Sequence, residues 1–272
     1  MDFHYCEEIL RTFIPERVGE KMQRYFILNQ ENWMDNQVVI TGDDVHHITR
    51  VMRNKLGDEI ICNAKSGKAA LCKIQEMSDE RVLASIEKWL DREVELPIKV
   101  SIAQGLPKGD KFDMILQKGT ELGAHEFIPF KAARSVVKWD DKKLSKKFQR
   151  FEKILKEASE QSHRQSIPII QTPVNLDELL EVSRDYDFKI IAYEEEAKTD
   201  QYQSLADILK RLSKGMRLII CIGPEGGFTE KEVEILKEND FYAVRFGPRI
   251  LRTETAALYA LASVSYHFEE LM

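Results

Sequence analysis

Long apolar runs and paired cysteines are both missing from this sequence of 272 residues. No stretch reaches the roughly eighteen consecutive apolar residues that a transmembrane helix needs, and no basic region followed by an apolar stretch stands at the N-terminus to direct secretion. The four cysteines, Cys6, Cys62, Cys72 and Cys221, are scattered without CxxC spacing. Such a pattern is typical of reduced thiols and not of a zinc site or a disulfide framework. These absences predict a cytoplasmic protein with no metal and no membrane partner.

Two nucleotide-binding fingerprints are absent as well. The sequence contains no Gly-Lys-Ser/Thr, so it has no Walker A phosphate loop, and no GxGxxG follows the first strand of an α/β pattern. Both motifs place glycines where a backbone must approach phosphates closely. Binding of a nucleoside triphosphate or a dinucleotide therefore lacks its usual signature.

Acidic residues outnumber basic ones, 46 to 40, which gives a net charge of -6. That balance by itself argues against a nucleic-acid partner, but phosphates respond to local patches and not to averages. From Lys131 to Lys156 there are ten Lys and Arg residues against three acidic ones. We predict that this stretch contacts phosphates; a solvated helix face is the alternative.

The hydrophobic pattern divides the chain into three parts. Residues 1–21 have no clear periodicity and precede Met22, which could itself be a start, so we treat them as an extension of uncertain status. Residues 22–95 alternate apolar and polar positions in short runs separated by turn residues, which is typical of a small β-barrel domain with one helix. The predicted strands are YFIL, QVVI, DEIICNA, AALCKIQEM and RVLASIEKWL, and the predicted helix is GDDVHHITRVMR.

Residues 96–272 alternate strands with helices, which predicts an α/β domain with a parallel sheet covered on both faces. The predicted strands are IKVSIA, EFIPF, KIIAY, RLIICIG and YAVRFG. The predicted helices are 108–122, 140–162, 176–184, 205–212, 229–238 and 253–270. In the second helix an apolar residue recurs at helical spacing, which leaves the lysines on the outer face.

The segment RLIICIGPEGGFTEKEVEIL reads as a buried strand, a glycine-rich turn and a helix. Thr229 and Glu232 form a T-x-x-E capping box that fixes the start of the helix. Ligands of open α/β sheets bind outside the carboxyl ends of the strands, and this turn lies at such an end. Glycines there let a ligand approach the backbone. A plain strand-to-helix turn is the alternative for this segment alone.

A second segment, YAVRFGPRILRTETAALYALASVSYHF, repeats the order of strand, turn and helix. Its turn carries Arg249, Arg252 and Glu254, with Thr253 as a possible helix cap. Two glycine-containing loops at neighbouring strand ends make a ligand pocket more plausible than either loop does alone.

These two segments, read in order with KGDK, QKGTELGA and EQSHRQSIP, resemble the bacterial family that methylates N3 of a uridine in small-subunit (16S) ribosomal RNA, a family of the SPOUT class. MQRYF and DDVHHITRVMR also resemble the N-terminal RNA-binding domain of that family. The resemblance runs from about Met22 to the C-terminus, and residues 1–21 depart from it.

The resemblance implies the fold, the cofactor and the partners. It implies a PUA-like β-barrel in residues 22–95 and a SPOUT methyltransferase domain in residues 96–272, with a deep trefoil knot, an exception to the rule that chains do not thread their own loops. It also implies the cofactor S-adenosylmethionine, a substrate in 16S ribosomal RNA or the small subunit, and a homodimer packed through the knot regions.

Site residues follow from the same resemblance. For the cofactor it implies Ala192, Tyr193, Glu194, Ile222, Gly223, Pro224, Gly226, Gly227, Phe246, Gly247, Ile250, Leu251, Thr255 and Ala256. For RNA, the segment carrying Arg24, His47, Arg50 and Arg53 matches, and Lys108, Arg134 and Arg164 flank the predicted sheet.

The proton of uridine N3 must be removed, and a positioned base typically contributes about 10²–10⁴-fold to the rate. Glu225 and Glu254 are the candidate carboxylates, and Arg252 is a candidate donor to negative charge on the uracil oxygens. Helix capping and ion pairing are equally open for each of these residues. So are two other functions: a related knotted enzyme acting on transfer RNA or on a ribose hydroxyl, and a non-catalytic RNA-binding assembly factor.

Overall fold

The computed structural model of this chain describes residues 22–91, 93–137, 139, 141–193 and 203–271, without the side chains of 141–143. It divides into two compact units, Met1–Arg92 and Glu93–Met272. The division falls close to the change of pattern seen in the sequence.

The first unit is a curled five-stranded sheet with the strand order β1-β3-β4-β5-β2. Strands β1 and β3 are parallel, and the other neighbours are antiparallel. Two register shifts between β4 and β5 bend this pair, as β-bulges do. The elements are β1 (Arg24–Ile27), a 3₁₀ turn (Gln30–Asn32), β2 (Gln37–Thr41), α1 (Asp43–His46) continued by a π-helical turn (His47–Val51), β3 (Glu59–Ala64), β4 (Ala69–Met77) and β5 (Arg81–Leu90).

One face of the curled sheet forms the core of this unit. Buried side chains alternate along the strands, as with Val38 and Ile40 on β2, and the helical turn adds Val45 and Ile48 from above. All five predicted strands and the predicted helix are confirmed.

The second unit is built on a seven-stranded sheet whose neighbouring strands are all parallel, in the order β10-β12-β9-β11-β6-β7-β8. Its strands are β6 (Lys99–Gly105), β7 (Glu126–Phe130), β8 (Ile169–Ile170), β9 (Phe188–Ala192), β10 (Gln203–Ser204), β11 (Arg217–Ile222) and β12 (Tyr242–Arg245). Its helices are α2 (Lys111–Glu121), α3 (Asp141–Gln161), α4 (Leu176–Ser183), α5 (Leu205–Leu209), α6 (Glu230–Glu238) and α7 (Thr253–Ser265), the last continued by a π-helical turn (Tyr266–Glu270).

Helices cover both faces of this sheet. Helices α2, α3, α5 and α7 pack on one core, and α4 and α6 pack on the other. Adjacent residues of β11 point to opposite cores, Ile220 to the first and Cys221 to the second, so the strand reads as an unbroken apolar run. The predicted α/β class with a parallel sheet is confirmed, whereas the two-residue strands β8 and β10 were not predicted.

The order β12-β9-β11-β6 brings the carboxyl ends of four strands side by side. The loops that follow these strands therefore meet at one edge of the sheet. Among the described residues, no helix is long and apolar enough to cross a lipid bilayer.

Candidate functional site

A cavity of about 820 Å³ lies at the carboxyl edge of the second sheet. Three segments form most of its wall: the end of β9, the glycine-rich loop from Ile222 to Phe228, and the loop from Phe246 to Arg252 that leads into α7. Both loops singled out in the sequence therefore lie on one cavity, with Gly226 and Leu251 in the same lining.

Most of the predicted site residues meet here. The cavity is lined by Ala192, Tyr193, Ile222, Gly223, Pro224, Glu225, Gly226, Gly227, Phe246, Gly247, Ile250, Leu251, Arg252 and Ala256, and also by Arg134. Thr255 is exposed on α7 and does not line the cavity. Glu194 lies outside the described residues.

The glycine-rich loop turns tightly over the end of β6. The N–H of Gly227 donates to the carbonyl of Pro224 at 2.9 Å, and Gly227 has a φ of 67°, in the left-handed region that favours glycine. A Cβ at Gly105 would lie 2.5 Å from the backbone nitrogen of Pro224. Only a glycine at the end of β6 lets this loop approach so closely.

The capping box that follows the loop is present. Thr229 accepts from the N–H of Glu232, whose carboxylate accepts from the Thr229 backbone and hydroxyl. The other oxygen of Glu232 accepts from the N–H of Ala133 at 2.8 Å. This carboxylate therefore also anchors the loop after β7, which carries Arg134.

Thr253 does not act as the cap of α7. Arg252 holds that position without a side-chain capping bond, and Thr253 is the first helical residue. The buried hydroxyl of Thr253 accepts from Gln104 Nε2 at 2.8 Å and donates to the carbonyl of Gly223 at 2.6 Å. The alternative of a Thr253 cap is wrong, because this side chain fastens one cavity loop to the other.

The ammonium of Lys111 lies between the two candidate carboxylates. Its Nζ is 2.9 Å from Oε1 of Glu225 and 3.4 Å from Oε2 of Glu254. Glu254 does not line the cavity itself, but Lys111 does. The sequence indicates for Lys111 a surface charge or a contact with the RNA backbone, because no local pattern connects residues 111 and 225.

Partial burial tends to raise the pKa of Glu225, but the hydrogen bond from Lys111 and bonds from two backbone N–H groups hold this pKa below its ordinary value. The hydrogen bond to Glu225 raises the pKa of Lys111. Both groups therefore stay charged near neutral pH. Glu225 is consequently a weaker base than an unpaired glutamate.

Cations dominate the wall of the cavity. Among the described residues the lining contains Lys111, Arg134, Arg245, Arg249 and Arg252, against two carboxylates, Glu225 and Glu230. Sequence reasoning missed the placement of Lys111, Phe228, Glu230, Val244 and Arg245 on this wall. An approaching anion, or a base that develops negative charge, is favoured at such a surface.

The structure argues against the RNA contact predicted for Arg164. Its side chain is 5% exposed and pairs with Glu95, while Nη1 donates to the carbonyls of Thr120 and Ala124 at 3.1 and 2.7 Å. The guanidinium is saturated inside the unit. We correct its role to that of a structural anchor.

The RNA-binding residues predicted in the first unit fall into two groups, two that are engaged inside the unit and two that are exposed. Arg24 is buried and donates to Asn63, and His47 is half-buried at 3.0 Å from the hydroxyl of Tyr25. Arg50 and Arg53 are exposed, and Arg50 pairs with Asp79. Only the latter two present their charge to solvent.

Of the two other residues predicted to contact RNA, Lys108 is exposed. Arg134 is exposed too, and its Nη1 donates to the carbonyl of Gly226 at 3.1 Å. Both residues lie at the loops that border the cavity, since the N–H of Lys108 donates to Glu225.

Most of the basic stretch from Lys131 to Lys156 lies in α3. The apolar residues Phe151, Leu155 and Ala158 of this helix are buried as predicted. Lys146 is exposed, whereas Lys147 lies 5.1 Å above the centroid of the Trp139 ring. Lys138 and the side chains of Lys142 and Lys143 lie outside the description.

Family models and relatives agree on what this arrangement resembles. An RNA methyltransferase domain matches residues 94–265, and an RNA methyltransferase PUA domain matches residues 40–87. Ribosomal RNA small subunit methyltransferase E of Bacillus subtilis is 50% identical over 252 residues, 92% of this chain and 98% of that protein. The Mycobacterium tuberculosis protein of the same name is 29% identical over 83% of this chain and 85% of its own.

Solved structures agree too. The crystal structure of ribosomal RNA small subunit methyltransferase E from Neisseria gonorrhoeae bound to S-adenosylmethionine superposes with a TM-score of 0.78 at 28% identity, covering 90% of this chain and 97% of that one. With the matched domains, the shared fold and the cavity at the strand ends, this chain belongs to the RNA methyltransferase family.

Proposed function

We propose that this protein transfers the methyl group of S-adenosylmethionine to N3 of a uridine in 16S ribosomal RNA, in the assembled small subunit. One observation carries the proposal: two backbone-rich loops at neighbouring strand ends enclose a single cavity with a cationic wall. The names and bound cofactor of the relatives support the same activity.

The cavity fits the cofactor in size and chemistry. A volume of about 820 Å³ suits a ligand of this size. At Gly226 a Cβ would approach the Cβ of Arg134 to 3.0 Å, so a side chain there would crowd the loop. Backbone groups of the two loops would meet the adenine, Phe246 and Leu251 supply apolar contact, and Arg245 or Arg249 would pair with the carboxylate of the methionine end.

S-adenosylmethionine supplies a methyl carbon that is already electrophilic, since a neutral thioether leaves. The protein then has to hold the uracil in line with that carbon, and positioning can contribute about 7–11 kcal/mol. Uridine N3 lies on the pairing edge of the base, so the nucleotide has to be unpaired or extruded before it enters. A folded RNA with an accessible uridine is therefore the substrate that suits this site.

Uracil becomes anionic when N3 loses its proton, and the charge spreads over its two carbonyl oxygens. Arg252 lines the cavity and would donate to one of these oxygens, which lowers the cost of deprotonation. Glu225 lines the cavity as the nearer candidate acceptor of the proton, with Glu254 beside it. Because Lys111 weakens Glu225 as a base, we assign a large part of the activation to the surrounding cations.

RNA would be held by exposed cations of both units. We propose phosphate contacts by Arg50 and Arg53 in the PUA-like domain, residues 22–95, and by Lys108, Arg134 and the basic face of α3 in the methyltransferase domain, residues 96–272. The π-helical turn after α1 carries Arg50, whose side chain is exposed.

The working form would be a cytoplasmic homodimer. The outward face of α7 carries Thr255, Tyr259 and Ala262, all exposed, and the face continues to Tyr266. The opposite face of α7 already packs on the core. We propose that a second copy of the chain covers the outward face. We propose the trefoil knot on the resemblance of residues 22–272 to the family.

Mapping of modified uridines tests the activity directly. Small subunits from cells that lack this gene should gain one methyl group per particle when incubated with the purified protein and labelled cofactor. The mark should map to N3 of a single uridine in 16S ribosomal RNA. Methylation of transfer RNA or of a ribose would replace this proposal with a related enzyme, and failure to bind the cofactor would leave a non-catalytic RNA-binding factor.

A further inference from the structure

Lys111 stands where three segments of the site converge. It is the first residue of α2, while Glu225 belongs to the glycine-rich loop and Glu254 to the first turn of α7. Its ammonium lies 2.9 Å from the first carboxylate and 3.4 Å from the second. A single cation therefore connects two segments of the site, each more than a hundred residues further along the chain, to the start of α2.

The two carboxylates need that cation. One oxygen of each carboxylate lies within 3.4 Å of the Lys111 nitrogen, so the two anions are close neighbours. Like charges at such a separation repel each other. The side chain of Glu254 is only 12% exposed, and its Oε2 makes no hydrogen bond among the described residues. The ion pair with Lys111 compensates the charge of this largely buried carboxylate.

The turn before α2 strengthens the arrangement. Oε1 of Glu225 accepts not only from Lys111 but also from the backbone N–H of Lys108, at 3.1 Å. The Lys108–Lys111 turn therefore binds the glycine-rich loop at Glu225, which lines the cavity. The second cavity loop, from Phe246 to Leu251, takes no part in these bonds.

We propose that Lys111 is a positioning residue of the methyl transfer, which holds Glu225 and Glu254 together and so fixes the carboxylate that faces the uracil. This inference rests on the proposed function. Lys111 bonds to the carboxylates of Glu225 and Glu254, and the N–H of Lys108 still holds the glycine-rich loop when Lys111 is replaced. Loss of Lys111 should therefore impair turnover far more than binding of the cofactor. A misplacement of about 1 Å in a reacting group is enough to reduce a rate by up to about a hundredfold.

Lys111→Met tests this step, since it keeps the length of the side chain and removes the charge. We expect kcat to fall by about tenfold or more, with the Kd for S-adenosylmethionine, measured by calorimetry, changed by less than about twofold. Lys111→Arg should restore most of the rate. Lys118→Met is the matched control: Lys118 lies on the same helix and pairs with Glu121 at 2.7 Å, and its loss should leave kcat unchanged.

A double-mutant cycle separates positioning from a general loss of structure. If Lys111 acts through Glu225, adding Lys111→Met to Glu225→Gln should reduce kcat by much less than it does in the wild type. Additive losses, an unchanged kcat, or parallel losses of cofactor binding and melting temperature would each overturn the inference. An active wild type with an unaffected Lys111→Met removes this inference alone, whereas an inactive wild type removes the proposed function and this inference with it.

Discussion

The hydroxyl of Thr253 donates a hydrogen bond of 2.6 Å to the carbonyl of Gly223, and this bond joins the two loops that enclose the cavity. The same hydroxyl accepts from Nε2 of Gln104 at 2.8 Å, and Gln104 is completely buried at the end of β6. The relay from Gln104 through Thr253 to Gly223 therefore connects three segments beneath the site. One side chain therefore fixes the position of one cavity loop against the other.

Replacing Thr253 with Val should loosen this relay. Val keeps the shape but leaves the Gly223 carbonyl without its donor, and an unsatisfied buried group costs about 1–3 kcal/mol. We expect a lower melting temperature and at least a several-fold weaker binding of S-adenosylmethionine, measured by calorimetry. Thr253→Ser retains the hydroxyl and serves as the control. Equal affinities for the Val and Ser variants would show that the bond does not shape the cavity.

Gly105→Ala should displace the glycine-rich loop. Its Cβ would lie 2.5 Å from the nitrogen and 2.6 Å from Cδ of Pro224, distances that require the backbone to move. We expect a large loss of cofactor affinity even though Gly105 lies outside both sequence motifs. Gly57→Ala, which is strained by its φ of 90° but meets only the Cε of Lys73 at 3.9 Å, is the control for backbone strain. A Gly105→Ala protein with wild-type affinity would contradict the packing.

The sequence alone allowed the longer elements and the location of the cavity to be predicted, since both follow from local patterns. Alternation with period two marks strands such as β2, and the T-x-x-E box marks the start of α6. The long helix α3 was recognised from its apolar spacing in the same way. The two motifs at strand ends then gave most of the cavity wall through the topology of a parallel sheet.

The contacts that a charged residue makes could not be predicted. Arg164 and Lys111 look alike in the sequence, as cations in polar segments, yet the first is sealed inside the unit and the second bridges two carboxylates. What separates them is burial and partners that lie 69 and 114 residues away. Local periodicity carries no information about such pairings.

The stability of the second unit should depend on the ionisation of Glu95. Partial burial raises the pKa of Glu95, but the hydrogen bonds and charge of Arg164, with the N–H groups of Gln165 and Ser166, lower it below its ordinary value overall. A carboxylate with a depressed pKa stabilises the folded state above its unfolded pKa, and the stabilisation is lost as the pH falls through the folded value.

Glu95→Gln should therefore destabilise the protein at pH 7, by about 3 kcal/mol because Arg164 is left buried without its anion. The difference from the wild type should shrink as the pH falls below about 4.5, which denaturant titrations at several pH values can measure. Glu181→Gln is the control, since its partner Arg184 is largely exposed and an exposed pair contributes about 0–1 kcal/mol. A difference that stays constant down to low pH would contradict the linkage.

The basic stretch from Lys131 to Lys156 should affect the salt dependence of RNA binding. Lys131 and Lys146 are exposed, whereas the ammonium of Lys147 is engaged with the rings of Trp139 and Phe151. Changing Lys131 and Lys146 to Gln should flatten the slope of log affinity against log salt by about 0.7 for each lost contact with single-stranded RNA. Lys210→Gln, at the C-cap of α5, should leave the slope as it is. An unchanged slope in the double variant would rule out phosphate contacts at these two lysines.

Dimer formation should depend on the outer face of α7. Ala262 is exposed at the centre of this face, and an arginine there would place an unpaired charge in the predicted interface. We expect Ala262→Arg to sediment at the mass of one chain under conditions where the wild type sediments at twice that mass. Ala206→Arg on α5 adds the same charge at another exposed alanine and should not alter the mass.

This interface should also affect the active site, because Tyr259 on the same face lies with its ring centroid 5.9 Å from that of Phe246, a residue of the cavity wall. Covering Tyr259 with a second chain would restrict the loop after β12, and exposing it would let that loop move. Monomeric Ala262→Arg should consequently bind S-adenosylmethionine more weakly than the dimer. A monomer with undiminished affinity would show that the cavity is complete within one chain and that dimerisation serves another step.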